Sequence, residues 1–258
     1  MYTRAMLSVP CRETLAVNDR YTLICDDVSH ELGGVALRLL RMGIDTLYAD
    51  CFDEALLLAD QEGARIRALI ASPNFPVDEL RRLRARVSRR EGQRILPGLI
   101  VIGDLPDDEH RKALREIGAE WGLWELDDDA SLRFVVNAAV SAPSERADRR
   151  EPRIPTNLLA SFRTGGARSN AVIYTLSARG AFLETPNPMA EGATLEVELT
   201  FADRLINAPA QVVHCNGLEQ QRAACTPLGM GVVFEELPEG QALFLREFVA
   251  ERAELFCV

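Results

Sequence analysis

Along the first 140 residues, short apolar runs alternate with stretches whose apolar residues recur at helical spacing. Tyr21-Thr22-Leu23-Ile24-Cys25 predicts a strand that ends in Asp26-Asp27. Ser29 is placed to cap a helix through Met42, with Val35, Leu39 and Met42 on one face and Gly43 stopping it. Further strands are predicted at 44–49, 65–71, 96–102 and 122–126. Helices are predicted at 52–62, 77–90, 107–117 and 127–140, the last opened by Asp127-Asp128-Asp129, where acid is favoured by the helix dipole. Five alternations of strand and helix predict a parallel sheet with helices on both faces.

Beyond the polar, proline-containing stretch 142–148 the period changes from helical spacing to alternation. Leu158–Phe162, 171–176, a strand opening at Ala181 after Gly180, Thr194–Leu199, 208–215 and Gly229–Phe234 read as short strands. Thr194-Leu195-Glu196-Val197-Glu198-Leu199 alternates apolar and polar residues, the pattern of a half-buried antiparallel strand. Residues 239–256 predict a helix whose Leu243, Phe244, Phe248, Leu255 and Phe256 cover one end of a small barrel.

Composition narrows the function classes. The 258 residues carry a formal net charge of -10, which argues against general nucleic-acid binding. The six cysteines (Cys11, Cys25, Cys51, Cys215, Cys225, Cys257) include no close pair, and the three histidines His30, His110 and His214 are scattered. No zinc site is expected. Cys25 and Cys215, inside apolar runs, read as buried small hydrophobes and suit a reducing cytoplasm. His214, within a strand, reads as structural. Residues 1–20 lack the apolar core of a signal peptide, and no run approaches the ~20 apolar residues of a membrane span. No Ser-His-Asp set or phosphate-binding glycine loop is visible, so no catalytic residue is assigned and the chain reads as a non-enzyme.

Against this acidic background, Arg149-Arg150-Glu151-Pro152-Arg153 crowds three guanidinium groups into five residues. About twenty residues later comes the polar turn Thr175-Leu176-Ser177-Ala178-Arg179-Gly180. The two segments are expected to face one anionic ligand. A second basic run, Arg81-Arg82-Leu83-Arg84-Ala85-Arg86 with Arg89-Arg90, reads either as a solvated helix face or as a docking face for an acidic partner.

Leu23-Ile24-Cys25-Asp26-Asp27, the Gly43 turn and Gly118-Ala119-Glu120-Trp121-Gly122-Leu123-Trp124 resemble the receiver domain of bacterial response regulators, over residues 20–142. That resemblance implies an acid pair for magnesium at Asp26 and Asp27, but puts Ser72 at the phosphoacceptor position, Gly103 at the Ser/Thr position and Glu125 at the Lys position. A receiver-like unit without phospho-transfer is expected, with Asp26-Asp27 a solvated strand end or helix-cap acid.

Arg149 to Arg153, followed by Ser177 and Gly180 and by the closing run Gly229–Phe234, resembles the PilZ domain, whose signature is RxxxR and then (D/N)xSxxG. Arg146 and Arg150 form a second RxxxR out of register. The resemblance implies cyclic di-GMP as ligand, held by Arg149, Arg150, Arg153, Thr175, Ser177 and Gly180, with no metal and no further cofactor. Thr175 stands where the family has Asp or Asn, and losing a charge-assisted contact there weakens binding by about 1.5–3 kcal/mol. The expected organisation is an extension (1–19), a flavodoxin-like five-stranded parallel α/β receiver-like domain (20–142), a linker (143–148) and a small antiparallel PilZ β-barrel with a C-terminal helix (149–258). Two functions stay open: a cytoplasmic cyclic di-GMP adaptor whose receiver-like half meets an unidentified protein partner, or a scaffold of the same fold that does not bind the dinucleotide. Either allows a homodimer; neither calls for nucleic acid or membrane insertion.

Overall fold

The computed structural model describes residues 20–27, 30–87, 96–124, 128–140, 151–217 and 226–258. Five strands, β1 (Tyr21–Cys25), β2 (Thr46–Ala49), β3 (Ile66–Ala71), β4 (Gly98–Gly103) and β5 (Ala119–Trp124), pair in parallel in the order β2-β1-β3-β4-β5. This is the flavodoxin-like doubly wound order. Successive residues of a strand face opposite sides, so the sheet feeds two cores. Ile24, Ile70 and Ile100 pack under α1 (Gly33–Arg41) and α5 (Asp129–Val140). Leu23, Leu69 and Leu99 pack under α2 (Phe52–Glu62), α3 (Val77–Val87) and α4 (Asp108–Glu116).

Some boundaries move. Helix α1 starts at Gly33, with the Asp26 carboxylate rather than a serine holding its first turn, and Ser29 lies outside the described residues. Strand β5 begins at Ala119, earlier than expected, because Gly118 (φ 82°) turns the chain from α4 straight into the sheet. Acidic side chains cap helices elsewhere. Asp107 accepts from the His110 amide at 2.8 Å, and Asp128 accepts from the Ser131 amide at 2.7 Å.

The second half closes on itself. Strands β6 (Ile154–Thr164), β7 (Ala167–Ser177), β8 (Gly180–Glu184), β9 (Thr194–Thr200), β10 (Leu205–Asn216) and β11 (Gly229–Phe234) form a barrel in the order β10-β11-β8-β7-β6-β9, sealed by the β9–β10 pairing. Its interior is the inward set of the alternating strands, including Phe162, Ile173, Leu183, Val197, Leu199 and Met230. A bulge in β10 between Val212 and His214 leaves both Val213 and His214 outward, so Cys215 is half-buried and not interior. The His214 ring is outside the barrel and hydrogen-bonds Asn216. Cys25, by contrast, is fully buried, and burial pushes its thiol well above the usual range.

Helix α6 (Glu239–Glu254) covers the barrel, with two of the five residues expected, Phe244 and Phe248. Leu245 and Val249 are its buried contacts, and Phe244 and Phe248 each meet Phe201 edge-on at 5.0 Å between ring centroids. Leu243 and Leu255 are exposed. Phe256 leaves the barrel and joins the core beneath α5. Apolar residues lie all round this helix, so spacing alone did not say which ones face inward.

The segment after α6 ties the two halves together. The Gly122 amide donates to the Phe256 carbonyl at 3.0 Å, and Cys257 bridges antiparallel to Trp121. Arg115 Nη1 donates to the Val258 carbonyl at 3.1 Å, while the Val258 side chain is buried under the α2–α4 face. Tyr174 of β7 joins the same core as Phe256 and α5, with Phe182 of β8 packed against it. Among the described residues, no helix is long and apolar enough to cross a membrane.

Candidate functional site at the barrel mouth

The arginine loop and the polar turn meet through strand register. Ile154 pairs with Leu176 and Pro155 with Thr175. Arg153, one residue before Ile154, and Ser177, one after Leu176, therefore sit at the same end of the β6–β7 ladder. Ser177 pairs with Gly180 across the two-residue turn Ala178-Arg179. Arg153 is exposed, whereas Arg149 and Arg150 lie outside the described residues.

The turn is held from inside. Ser177 Oγ donates to the Gly180 carbonyl at 3.1 Å. The Phe234 amide donates to the Arg179 carbonyl at 2.9 Å, which pins the turn to β11. Gly180 has a packing reason: a Cβ there would come within 2.3 Å of the Val232 carbonyl oxygen. Its glycine lets β8 approach β11, where the sequence had suggested approach to a ligand. Thr175 is buried in the ladder between Pro155 and Phe182.

Two arginines not singled out in the sequence belong to this end. Arg179 is exposed at the tip of the turn. Arg252 of α6 reaches the mouth and donates from Nε to the Pro155 carbonyl at 3.3 Å. Arg179 was legible as the only charge inside the turn motif. Arg252 lies some 75 residues from that motif, and only the folded helix brings it there.

Beside the mouth, a cavity of about 380 Å³ opens between the two halves. Trp121 and Phe134 of the sheet unit form one wall, and Glu151 and Arg153 of the arginine loop form another. Phe256 and Cys257 complete it.

The carboxyl end of the parallel sheet, where open α/β sheets place their chemistry, is arranged differently. Asp26 is not solvated: it is fully buried. Its carboxylate accepts from the Leu32 and Asp27 amides, each at 2.9 Å, and from the Tyr48 hydroxyl at 2.7 Å. Partial burial, and then this bond to Asp26, push the Tyr48 phenol up to about 12. Ser72, after β3, is buried and accepts from the Asn74 amide at 3.2 Å. A side chain at Gly103 would strike the Pro73 ring, its Cβ lying 2.7 Å from Cδ. Glu125 lies outside the described residues. Nearby, ligand atoms of Asp50, Cys51 and Glu54 cluster, all on exposed side chains.

The arginines of α3 are largely engaged within the chain. Arg81 pairs with Asp78 and Arg86 with Asp60. Arg84 donates to the Pro97 and Ile117 carbonyls, and burial draws its guanidinium below the usual arginine range. Arg89 and Arg90 lie outside the described residues.

Fold and site together define a receiver-like α/β unit followed by a small antiparallel barrel with a cationic mouth. The family model for the PilZ domain matches residues 147–251, and that barrel is a PilZ domain. No curated protein sequence matches the chain. Among solved structures, the inhibitor of motility MotI/DgrA of Bacillus subtilis is 16% identical, with a TM-score of 0.36 over 42% of this chain. The alignment takes in 51% of that protein, so this chain spans about half its length. The PilZ domain of YcgR from Escherichia coli, solved with c-di-GMP, is 17% identical over 42% of this chain and 92% of its own, with a TM-score of 0.34. The chemotaxis protein CheY4 of Vibrio cholerae is 18% identical over 46% of this chain and 98% of its own, with a TM-score of 0.40.

Proposed function

We propose that the chain is a cyclic di-GMP adaptor in which dinucleotide binding at the barrel mouth changes how the two halves face a protein partner. The observation that carries this reading is the β6–β7 register, which brings Arg153 and Ser177 to one end of the barrel. Guanidinium groups pair bidentately with phosphate or with guanine O6 and N7, and stack on base planes. Arg149 and Arg150 precede Arg153 in the sequence, and Arg179 adds a cation from the facing turn. Ser177 keeps acceptor capacity after donating to Gly180. The loop also joins the two halves, so ordering it around a ligand would bias their relative placement.

No phospho-transfer is assigned to the receiver-like half. The Asp26 carboxylate is taken up by three internal donors, and the residue after β3 is a buried serine. Its proposed role is to hold a partner.

Calorimetric titration of the full chain with cyclic di-GMP is the test. Binding that disappears in an Arg149→Ala/Arg153→Ala variant supports the adaptor. No heat from the native chain at micromolar concentration would leave the second reading, a PilZ-fold scaffold. The burial of Thr175 at the position of the family's Asp or Asn is the observation that favours that alternative.

A further inference from the structure

Two residues that line the cavity between the halves carry polar atoms that the reading above leaves unused. Trp121 Nε1 and one carboxylate oxygen of Glu151, Oε2, are both buried and have no hydrogen-bond partner among the described residues. Both residues line the cavity. Buried polar groups are almost always paired, and leaving one unpaired carries a desolvation penalty. A donor and an acceptor left over on two lining residues of one cavity point to a ligand that complements both.

The surroundings restrict which ligand. Trp121 meets Phe134 edge-on at 5.9 Å between ring centroids, and the Phe256 side chain is buried beside them. Flat aromatic walls favour a planar ring. A volume of about 380 Å³ is at the lower end for small-ligand sites, which run from about 300 to 1,000 Å³. The ring must offer N–H groups to a carboxylate and an acceptor to an indole N–H. Guanine does so: N1–H and the 2-amino group are neighbours on one edge, and O6 and N7 accept on the other. Adenine turns a bare ring nitrogen toward the same carboxylate and is repelled.

We propose that this cavity receives one guanine of the dinucleotide. Glu151 accepts from the N1–H and 2-amino edge, and Trp121 donates to O6 or N7. The inference rests on the cyclic di-GMP reading and adds to it a base-specificity site and a contact from the receiver-like unit. It also accounts for Thr175. The carboxylate missing from the turn is supplied by the arginine loop, two residues before Arg153. A ligand held by Trp121 on β5, Glu151 in the loop and the Phe256 wall touches both halves at once.

The full chain, Glu151→Gln and Trp121→Phe are titrated calorimetrically with cyclic di-GMP and with cyclic di-AMP. Tryptophan fluorescence is followed in parallel; Trp124 is the only other tryptophan and serves as an internal control. Glu151→Gln is expected to weaken cyclic di-GMP at least about ten-fold, as for loss of a charged hydrogen bond, and to tighten cyclic di-AMP, because the repelling carboxylate is gone. Trp121→Phe keeps the aromatic wall and is expected to lose the ligand-induced fluorescence change and several-fold in affinity. If the native chain binds cyclic di-GMP but both variants bind it equally well, the guanine site is wrong and the adaptor reading survives. If the native chain binds neither dinucleotide, the adaptor reading falls and takes this site with it. Thermal melting of the ligand-free variants checks folding; should Glu151→Gln not fold, the Trp121→Phe titration decides alone.

Discussion

At the end of β1, Asp26 is fully buried and its carboxylate meets two backbone amides and a phenol. At the start of β6, Arg153 is exposed on the rim of a cavity. Both are charged residues at strand ends. The first has been absorbed into the structure: its donors fix the start of α1 and the position of Tyr48, leaving little capacity for a metal. The second remains at a solvent edge, with Arg179 on the facing turn. A buried charged group whose hydrogen bonds are met by the fold supports stability; an exposed one at an opening faces solvent. One chain therefore contains a receiver-like site turned to structural use beside a barrel mouth that still presents cations.

Four experiments would break or sharpen this contrast. The largest effect is expected where the halves meet. Phe256→Ala should cost about 3–4 kcal/mol, as for other buried aromatics, and should split a single calorimetric transition into two. A single transition at unchanged midpoint would mean that the halves are not coupled through this residue. Asp26→Ala strands two amides and a phenol and should cost about 3 kcal/mol in urea denaturation, without altering dinucleotide affinity. A loss of affinity there would erase the distinction between the two sites. Arg153→Ala should do the reverse: under about 1 kcal/mol of stability, because the residue is exposed, but at least about ten-fold in cyclic di-GMP affinity.

The smallest effect concerns Tyr48. Its phenol is raised from 10.0 to about 12, so the folded state favours the protonated form. That contribution is complete below pH 10 and is lost as pH rises through about 12. Ultraviolet absorbance titration should find Tyr48 ionising late, and Asp26→Asn should bring it earlier. An unchanged midpoint in that variant would show that partial burial alone holds the phenol up.

Much of the fold was legible because each apolar run had a single plausible partner surface. The five strand–helix alternations became the parallel sheet, and Gly229–Phe234 is the final barrel strand with the bounds expected. Local spacing failed where the deciding contact was distant. Asp26 looked solvated because its third donor, Tyr48, lies 22 residues away on another strand. Phe256 looked like part of the barrel cover because it continues the apolar residues of α6, yet the chain turns after Glu254 and carries it to the sheet. At the site, the pairing of arginine loop with polar turn was foreseeable from the motif. The contributions of Trp121 and Glu151 were not, because one is an ordinary strand aromatic and the other an acid among arginines until the halves are brought together.

The short segment from Phe256 to Val258 has a consequence for how the molecule is made. It lies against β5, an edge strand of the parallel sheet, and its contact from Arg115 to Val258 spans 143 positions. During synthesis the sheet unit emerges long before the residues that cover that edge. Contacts so distant in sequence form late and slow the overall search. Until they form, β5 offers unpaired backbone groups to any neighbouring chain. The sheet unit expressed alone should therefore self-associate, and supplying residues 151–258 as a separate chain should return it to a single heterodimeric species.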